Sequence, residues 1–465
     1  MSAVVSRSAT TVNRRWVALA FIAVAQLMIA LDATIVSIAL PSAQAALGAS
    51  DADRQWVVTA YTLAFGGLLL LGGRLADVAG RKRAFLIGLA GFALASILGG
   101  AAPNFTILVA ARATQGAFAA VLAPTALSLL AVSFSQPRER ATAFAVYGSI
   151  AGSGAVIGLL LGGALTQYLS WRWSLYVNVP IALAAAVGGW LTLPGSSPVA
   201  RPRFDVPGAV LATTGLIALV YACGSSSLGW GAVSAVVLAL FVVREAGTQN
   251  PLLPLRIVKD RNRAGVYLAV MCAIGGMFGA FLFLTYFMQV VLGFTPLQAG
   301  LAFLPMTVAS QAGSWLIASR LMPHVPPRVL MAPGAFVAAA GMALLTQLHV
   351  DSGYLTVVLP AEVLLGLGIS CVMVPAFSTA TQGVEPREAG IASATVNTAQ
   401  QVGGSLGTAV LNTVATTATA GFVGSRAAGL VHGFDVATEV GVVILLAGAL
   451  VAALLINAPR PEART

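Results

Sequence analysis

Fourteen apolar runs, each close to the length of a membrane-spanning helix, dominate the sequence. A transmembrane helix needs about 20 mostly apolar residues. Charged residues make up 9% of the chain and hydrophobic residues 58%, against about 25% and 45–50% in soluble domains. This composition excludes a soluble fold and a disordered chain, and it predicts an all-α polytopic membrane protein. The runs lie at 16–40, 55–73, 84–102, 105–134, 142–168, 174–193, 207–224, 228–243, 265–292, 297–318, 329–348, 354–378, 389–417 and 438–457.

The basic residues predict the orientation of these runs. If the N-terminus is cytoplasmic, 21 of the 25 Lys and Arg residues fall in cytoplasmic segments. Only Arg54, Arg172 and Arg426 fall outside, and Arg112 lies within a span. This asymmetry follows the positive-inside rule and predicts cytoplasmic termini. It also accounts for the net charge of +10 without nucleic acid, because the bases are not clustered with aromatic residues.

The loops divide the chain into three predicted parts. Two polar gaps, 194–205 and 244–263, enclose an apolar helix pair. Residues 1–195 form a predicted N-terminal six-helix bundle, 196–264 the inserted pair with a cytoplasmic linker, and 265–465 a C-terminal six-helix bundle. The loops at 73–83 and 319–328 share an Arg-Leu pair and a downstream base. This weak repeat predicts two halves related by an axis along the membrane normal.

Three charged residues fall well inside the predicted spans: Asp32, Arg112 and Glu362. Helix geometry places all three roughly 12–13 Å below the outer surface. Intramembrane charges are costly and indicate function, so we expect a shared polar cavity in the outer half. The alternative for Asp32 and Arg112 is a static pair that only joins helices. For Glu362, the alternative is that it lies near the lipid headgroups and not inside the membrane.

Uncharged polar residues in the spans are candidates for the substrate path. With Glu362, the predicted cavity set is Gln26, Tyr61, Gln115, Asn178, Gln289, Asn397 and Gln400. Asn397, Gln400 and Gln401 share one helix face, although each polar residue alone is equally consistent with an interhelical hydrogen bond. The fifth span carries a glycine face, Gly154, Gly158 and Gly162, followed by Gly163. This face allows close helix packing or a flexible gating helix.

These motifs resemble the fourteen-span drug:proton antiporters of the major facilitator superfamily, the EmrB/QacA type. Residues 31–41, LDATIVSIALP, match the first-span motif of that group, which implies proton coupling at Asp32. Residues 108–116, LVAARATQG, resemble motif B, which implies that Arg112 tunes the proton site. Residues 73–83 match motif A, and the resemblance implies a cytoplasmic gate at Gly73, Asp77, Gly80, Arg81, Lys82 and Arg83. Segments 171–173, 178–181 and 286–289 are also similar to this group.

Two features of the sequence depart from the family pattern. Leu159 stands where motif C has a proline, so a helix kink is lost. The thirteenth span holds no acid, which argues against dicationic substrates.

The resemblance implies a proton-driven exporter of amphipathic drugs, antibiotics, dyes or lipophilic cations in the bacterial cytoplasmic membrane. An exporter of an endogenous metabolite, antibiotic or lipid is the alternative. Expected partners are a small-molecule substrate and the bilayer, with no nucleic acid, and a monomer is expected. No cofactor or metal is expected besides the coupling proton. An enzyme is disfavoured because the three histidines are far apart and no Gly-Lys dipeptide exists for a phosphate loop.

Overall fold

The chain folds into long helices joined by short loops in a computed structural model. The model describes the backbone of residues 2–134, 136–193, 205–225, 227–248, 251–253, 255–383 and 389–459. The long helices are α1 (Ser2–Leu47), α2 (Trp56–Ala79), α3 (Arg81–Gly100), α4 (Phe105–Ser133), α5 (Pro137–Tyr168), α6 (Trp173–Thr192), α7 (Val206–Ser225), α8 (Leu228–Gly247), α9 (Arg261–Val291), α10 (Pro296–Leu321), α11 (Pro327–Gln347), α12 (Tyr354–Thr381), α13 (Ala389–Gly421) and α14 (Arg426–Leu455).

Eleven helical segments of the described residues are long and apolar enough to cross a membrane. Shorter apolar stretches, Trp56–Leu69 and Ser153–Tyr168, belong to α2 and α5. The predicted all-α membrane architecture is therefore confirmed at this level.

Several predicted boundaries are wrong, and a helix cap explains the one at the start of α14. The first run was expected to end at residue 40, but α1 continues through Pro41 to Leu47. The last run was expected to start at 438, but α14 begins at Arg426. There the Ser425 hydroxyl accepts a hydrogen bond from Ala428 N at 3.2 Å, which satisfies a free donor of the first turn.

The helices pack as two groups joined by α7 and α8. Helices α1–α6 contact one another, and so do α9–α14. Between the groups, α2 lies against α13, and α5 lies against the start of α10. Helices α7 and α8 pair together, and α7 also packs on α2 and α13.

Asp205 ties the α7–α8 pair together at one end. Its carboxylate accepts hydrogen bonds from Gly208 N at 3.0 Å and from Arg244 Nε at 2.7 Å. Burial raises the pKa of Asp205, but these hydrogen bonds more than offset it and hold the pKa below its usual value. The carboxylate thus caps α7 and holds the end of α8.

In the described part of the second group, the helices contain three π-helical turns. They are Phe287–Val291 in α9, Gly313–Ala318 in α10 and Tyr354–Val358 in α12. Such turns widen the helix locally and are frequent at functional sites. The turn in α9 lies where the two groups meet, since Gln289 Nε2 donates to Ile38 O of α1.

Candidate functional site: a buried ion pair beside a central cavity

Asp32 is fully buried at the centre of a network of polar side chains. Its Oδ2 accepts from Arg112 Nη1 at 2.6 Å, and its Oδ1 accepts from Asn178 Nδ2 at 2.7 Å. Gln115 Nε2 lies 3.3 Å from the same Oδ1. The carboxylate therefore meets donors from α4 and α6, as a buried anion requires. We call Asp32, Arg112, Gln115 and Asn178 the Asp32 network.

Arg112 is held by more than the ion pair. Its Nε donates to Val57 O at 3.1 Å, and its Nη1 donates to Gln115 Oε1 at 2.9 Å. The guanidinium lies over the ring of Tyr61, 4.3 Å from the centroid. These contacts with α2 give Arg112 a defined position, and the pairing with Asp32, which the sequence offered as the alternative to a shared cavity, is observed.

A cavity of about 220 Å³ lies between the two groups of helices. Its walls are mostly apolar, and hydroxyl groups are its main polar atoms. None of the lining residues that the structure describes is charged, and aromatic and thioether side chains come from α9 and α10. This composition suits an amphipathic guest with few charges. The lining residues are Ala33, Thr34, Ser37, Val58, Ala155, Leu159, Met277, Phe278, Phe281, Leu282, Met306, Thr307, Ser310, Leu365, Gly366, Ile369 and Thr408.

Helix α1 connects the cavity to the Asp32 network. Asp32 points away from the cavity, whereas Ala33, Thr34 and Ser37 line it. The two sites therefore lie on different faces of one helical turn. Sequence reasoning expected the charges to face the cavity, and in this conformation one helix separates them from it.

None of the eight residues predicted for the substrate cavity is on the lining of this cavity. Gln115 and Asn178 belong to the Asp32 network, and the ring of Tyr61 lies against the Arg112 guanidinium of that network. Gln26 accepts a hydrogen bond from Tyr147 at 2.5 Å, and Gln289 Nε2 donates to Ile38 O at 2.9 Å.

The other three predicted cavity residues lie in the second group of helices. Asn397 and Gln400 are half-buried on α13, and Glu362 is fully buried on α12. The structure therefore does not bring Glu362 into the Asp32 network. It places an apolar cavity between them, which sequence reasoning missed because Met and Phe residues in a span give no distinguishing signal.

The glycine face of α5 packs closely on α1, which is one of the two alternatives that the sequence left open, and the gating role remains a prediction. A Cβ on Gly154 falls 2.7 Å from Ala30 Cβ, and one on Gly158 falls 2.8 Å from Leu31 O. Gly162 makes the same approach to Ile35. Gly163 instead faces the backbone of α10, so α5 contacts both groups of helices through adjacent glycines. Helix α5 runs unbroken past Leu159, in line with the absent proline.

The motif A segment forms the junction of α2 and α3. Gly80 joins them with φ 84°, a conformation that favours glycine. Lys82 Nζ donates to Trp190 O at 2.6 Å and to Leu193 O at 2.9 Å, so its charge lies at the C-terminal end of α6, where a cation is favourable. Gly73 faces Pro124 of α4.

The remaining residues of the predicted gate lie at the end of α2 and at the start of α3. Arg81 is half-buried and Arg83 is exposed, while the Asp77 side chain lies outside the part of the chain that the structure describes. The gate role of this segment remains a prediction.

A second polar cluster joins the two groups at the face that carries loop 48–55. We call this face the outer face, after the predicted orientation. Arg54 is 1% exposed; its Nε donates to Asn412 Oδ1 at 3.1 Å, and its guanidinium lies 4.0 Å from the Tyr286 ring centroid. Tyr286 in turn donates to Gln44. We call Gln44, Arg54, Tyr286 and Asn412 the outer latch.

Burial of the Arg54 guanidinium in the outer latch costs free energy. Burial lowers the pKa of Arg54, while Tyr286 and Asp51 oppose this effect. Just beneath, the hydroxyls of Thr62 and Ser405 lie 2.6 Å apart and link α2 to α13. Sequence reasoning placed Arg54 in an outer loop, and nothing in the sequence signals that it is buried between partners hundreds of residues away.

Comparisons with known proteins agree with this architecture. The profile of the Major Facilitator Superfamily matches residues 22–408. The puromycin resistance protein pur8 of Streptomyces alboniger is 51% identical over 468 residues, covering 97% of this chain and 93% of that protein. The cephamycin export protein CmcT of Amycolatopsis lactamdurans is 42% identical, covering 87% and 86%.

The fold also resembles a solved transporter structure. A bacterial homolog of the human lysosomal transporter Spinster, in an inward-facing and unoccupied conformation, has a TM-score of 0.70 at 16% identity, covering 95% of this chain and 97% of that one. This likeness concerns the fold alone.

Proposed function

The chain belongs to the Major Facilitator Superfamily, and we propose that it is a proton-coupled antiporter that exports amphipathic drugs or toxic compounds across the bacterial cytoplasmic membrane. The observation that carries the proposal is the position of Asp32: a buried, fully hydrogen-bonded carboxylate on the same helical turn as the wall of an apolar cavity of about 220 Å³. The relatives support export of antibiotics, since one is a resistance protein and the other an export protein.

The proposed topology has fourteen spans of the EmrB/QacA type, with both termini in the cytoplasm. Helices α7 and α8 are then a pair inserted between two six-helix bundles. This arrangement is supported by their packing on α2 and α13, at the border of the two groups. The outer latch closes the outer face, so the structure represents a state closed toward the outside.

Proton coupling follows from the charge balance of the Asp32 network. With Asp32 ionised, Arg112 has an anionic partner at 2.6 Å. Protonation of Asp32 leaves a buried guanidinium with only the neutral acceptors Gln115 and Val57. A buried cation without a counter-charge is unfavourable, so Arg112 and α1 must rearrange. Because α1 also forms a cavity wall, the rearrangement changes the cavity during alternating access.

A second candidate is an exporter of an endogenous antibiotic or other metabolite by the same mechanism. The relationship to the cephamycin export protein favours it. The two candidates share every residue role and differ only in the molecule carried. A toxicity panel in an efflux-deficient host, with puromycin and ethidium among the compounds, distinguishes broad from narrow substrate range.

The test is transport in everted membrane vesicles with an imposed proton gradient. Asp32→Asn is expected to abolish proton-driven export of puromycin or ethidium while the protein still inserts at the wild-type level, measured by immunoblot. The matched control is Asp53→Asn, an exposed acid in the loop between α1 and α2, which should export normally. Unchanged export by Asp32→Asn would refute the assignment.

A further inference from the structure

Glu362 is a buried acid that the Asp32 network does not use. Its side chain is 0% exposed, and its Oε1 has no hydrogen-bond partner. No cation of the described residues forms an ion pair with it or acts on it electrostatically. An ionised carboxylate in this position would be an uncompensated buried charge, which is strongly unfavourable.

Glu362 lies on the cavity-facing side of α12. Leu365, Gly366 and Ile369 line the cavity, and Glu362 precedes them by three, four and seven residues. This spacing puts all four on one helix face. Glu362 is therefore about one turn, or about 5 Å, from the cavity toward the outer face.

Among the described residues, the hydroxyl of Tyr354 is the polar group that approaches Glu362. This hydroxyl donates its single proton to Ala302 O at 2.6 Å. The same Tyr354 oxygen lies 3.4 Å from Glu362 Oε2. Because the tyrosine proton is directed to the nearer Ala302 O, the contact with Glu362 is too long to compensate an ionised carboxylate. Glu362 therefore lacks a strong donor, and its surroundings favour a neutral carboxylic acid.

The surroundings contain no other titratable partner in the described part of the chain. Helices α10 and α11 pack on this part of α12, through Met306 O near Gly366 and through Gly341 near Ala361 O. Tyr354 is the one titratable side chain that acts on Glu362. It belongs to the π-helical turn Tyr354–Val358, an irregular segment between Glu362 and the outer face.

We propose that Glu362 is a second proton-carrying site, so that each cycle exchanges two protons, one at Asp32 and one at Glu362, for one substrate molecule. The inference rests on the proposed antiport. When the outer face is open, Glu362 takes a proton from the outside and becomes neutral. The latched state seen here occludes the neutral acid. Movement of α12 by about one turn then exposes Glu362 to the cavity, where the proton leaves toward the cytoplasm.

Two protons give a measurable coupling ratio. With no membrane potential, a tenfold proton gradient sustains about a hundredfold gradient of a monovalent cationic substrate when two protons are exchanged, and about tenfold with one. Exchange of two protons for one monocation also moves net charge, whereas one-for-one exchange does not. Membrane potential therefore accelerates only the two-proton cycle.

The experiment uses purified full-length protein in liposomes with ethidium, a permanent monocation, as the probe. Potassium gradients with valinomycin set the membrane potential, and a separate pH gradient sets the proton force. Wild-type exchange should respond to both forces. Glu362→Gln should keep the pH response and lose the response to potential, because Gln imitates the neutral acid. Glu362→Asp, which retains a carboxyl group, should restore the response.

Controls separate this inference from the proposed function. Glu439→Gln, an exposed glutamate on α14, should behave as wild type. Asp32→Asn should lose pH-driven exchange entirely. If wild-type exchange is driven by pH but indifferent to potential, or if Glu362→Gln keeps the response to potential, the second site is refuted and the antiport stands.

A second measurement needs no substrate. Infrared spectra of the reconstituted protein should show the carbonyl band of a protonated, water-shielded carboxyl group. Glu362→Gln should remove this band, and Asp32→Asn should retain it. If wild type moves no ethidium, the proposed function fails, and the infrared band still decides whether Glu362 carries a proton. Its persistence in Glu362→Gln refutes the inference.

Discussion

Replacement of Arg54 by a neutral residue should shift the protein toward a state that is open at the outer face. Arg54 belongs to the first group of helices, and its two main partners, Tyr286 and Asn412, belong to the second. Both contacts must break when the outer face opens, so they stabilise the closed state only. The variant Arg54→Gln removes the charge and shortens the side chain.

The magnitude follows from the two contacts. A hydrogen bond from a charged donor contributes about 1.5–3 kcal/mol, and a desolvated cation–π contact about 2 kcal/mol. Part of this is offset because the variant no longer buries a guanidinium. A net loss of about 2 kcal/mol corresponds to a shift of about thirtyfold toward the open state.

The assay measures access to a residue on α13 that lies about two helical turns, or roughly 10 Å, from Asn412 of the latch. Ser405 is fully buried, so a cysteine placed there should react with a membrane-impermeant maleimide only when the outer face opens. Cys223, Cys272 and Cys371 are first replaced, because each is a free thiol. With opening as a rapid pre-equilibrium, the labelling rate follows the open population, and Arg54→Gln should raise it about thirtyfold.

Arg426→Gln is the matched control. Arg426 borders the same outer pocket as Arg54 but is exposed. Its loss should leave the labelling rate unchanged. An unchanged rate for Arg54→Gln, or an equal increase for both variants, would show that the latch does not hold the closed state.

Two further predictions address packing and the cavity. Gly158→Val should destabilise the purified protein by about 1–3 kcal/mol, because a Cβ there falls 2.8 Å from Leu31 O. Thermal unfolding in detergent measures this loss of stability. The control Gly231→Val, where no atom lies within 4 Å of the added Cβ, should destabilise the protein far less. Ser310→Trp should abolish drug export by filling the cavity without lowering thermal stability, whereas Gln311→Trp, at an exposed neighbour, should export normally; export by Ser310→Trp would show that the cavity is not the substrate path.

Local sequence signals predicted the helices and the paired charges well. An apolar run has one stable solution in a bilayer, so the helices lie where the runs do. Asp32 and Arg112 could be paired because each is too costly to remain alone in a membrane. The glycine spacing on α5 predicted a close approach by some other helix for a similarly local reason, since a step of four keeps Gly154, Gly158 and Gly162 on one face; that the partner is α1 is seen only in the structure.

Features formed by distant segments could not be predicted in this way. In the sequence, Arg54 resembles any loop arginine. Its burial is evident only in the structure, where loop 48–55 packs against α9 and α13. The cavity wall combines Phe278 and Met306 with Thr34, residues typical of any apolar helix. The polar residues expected to face the substrate, such as Gln115 and Asn178, are instead used to surround Asp32, because a buried anion takes the nearest strong donors.

Helix α1 takes part in each of these features, and in the proposed antiport it is the element through which one proton acts on the whole molecule. It carries Asp32 on one face, the cavity residue Thr34 on another, and Gln44 of the outer latch three turns further on. Its contact with α5 through Gly158 leaves no side chain to absorb a displacement. A shift of α1 that follows the loss of charge at Asp32 is therefore passed to the cavity wall and to the latch, since close-packed helices move as rigid bodies.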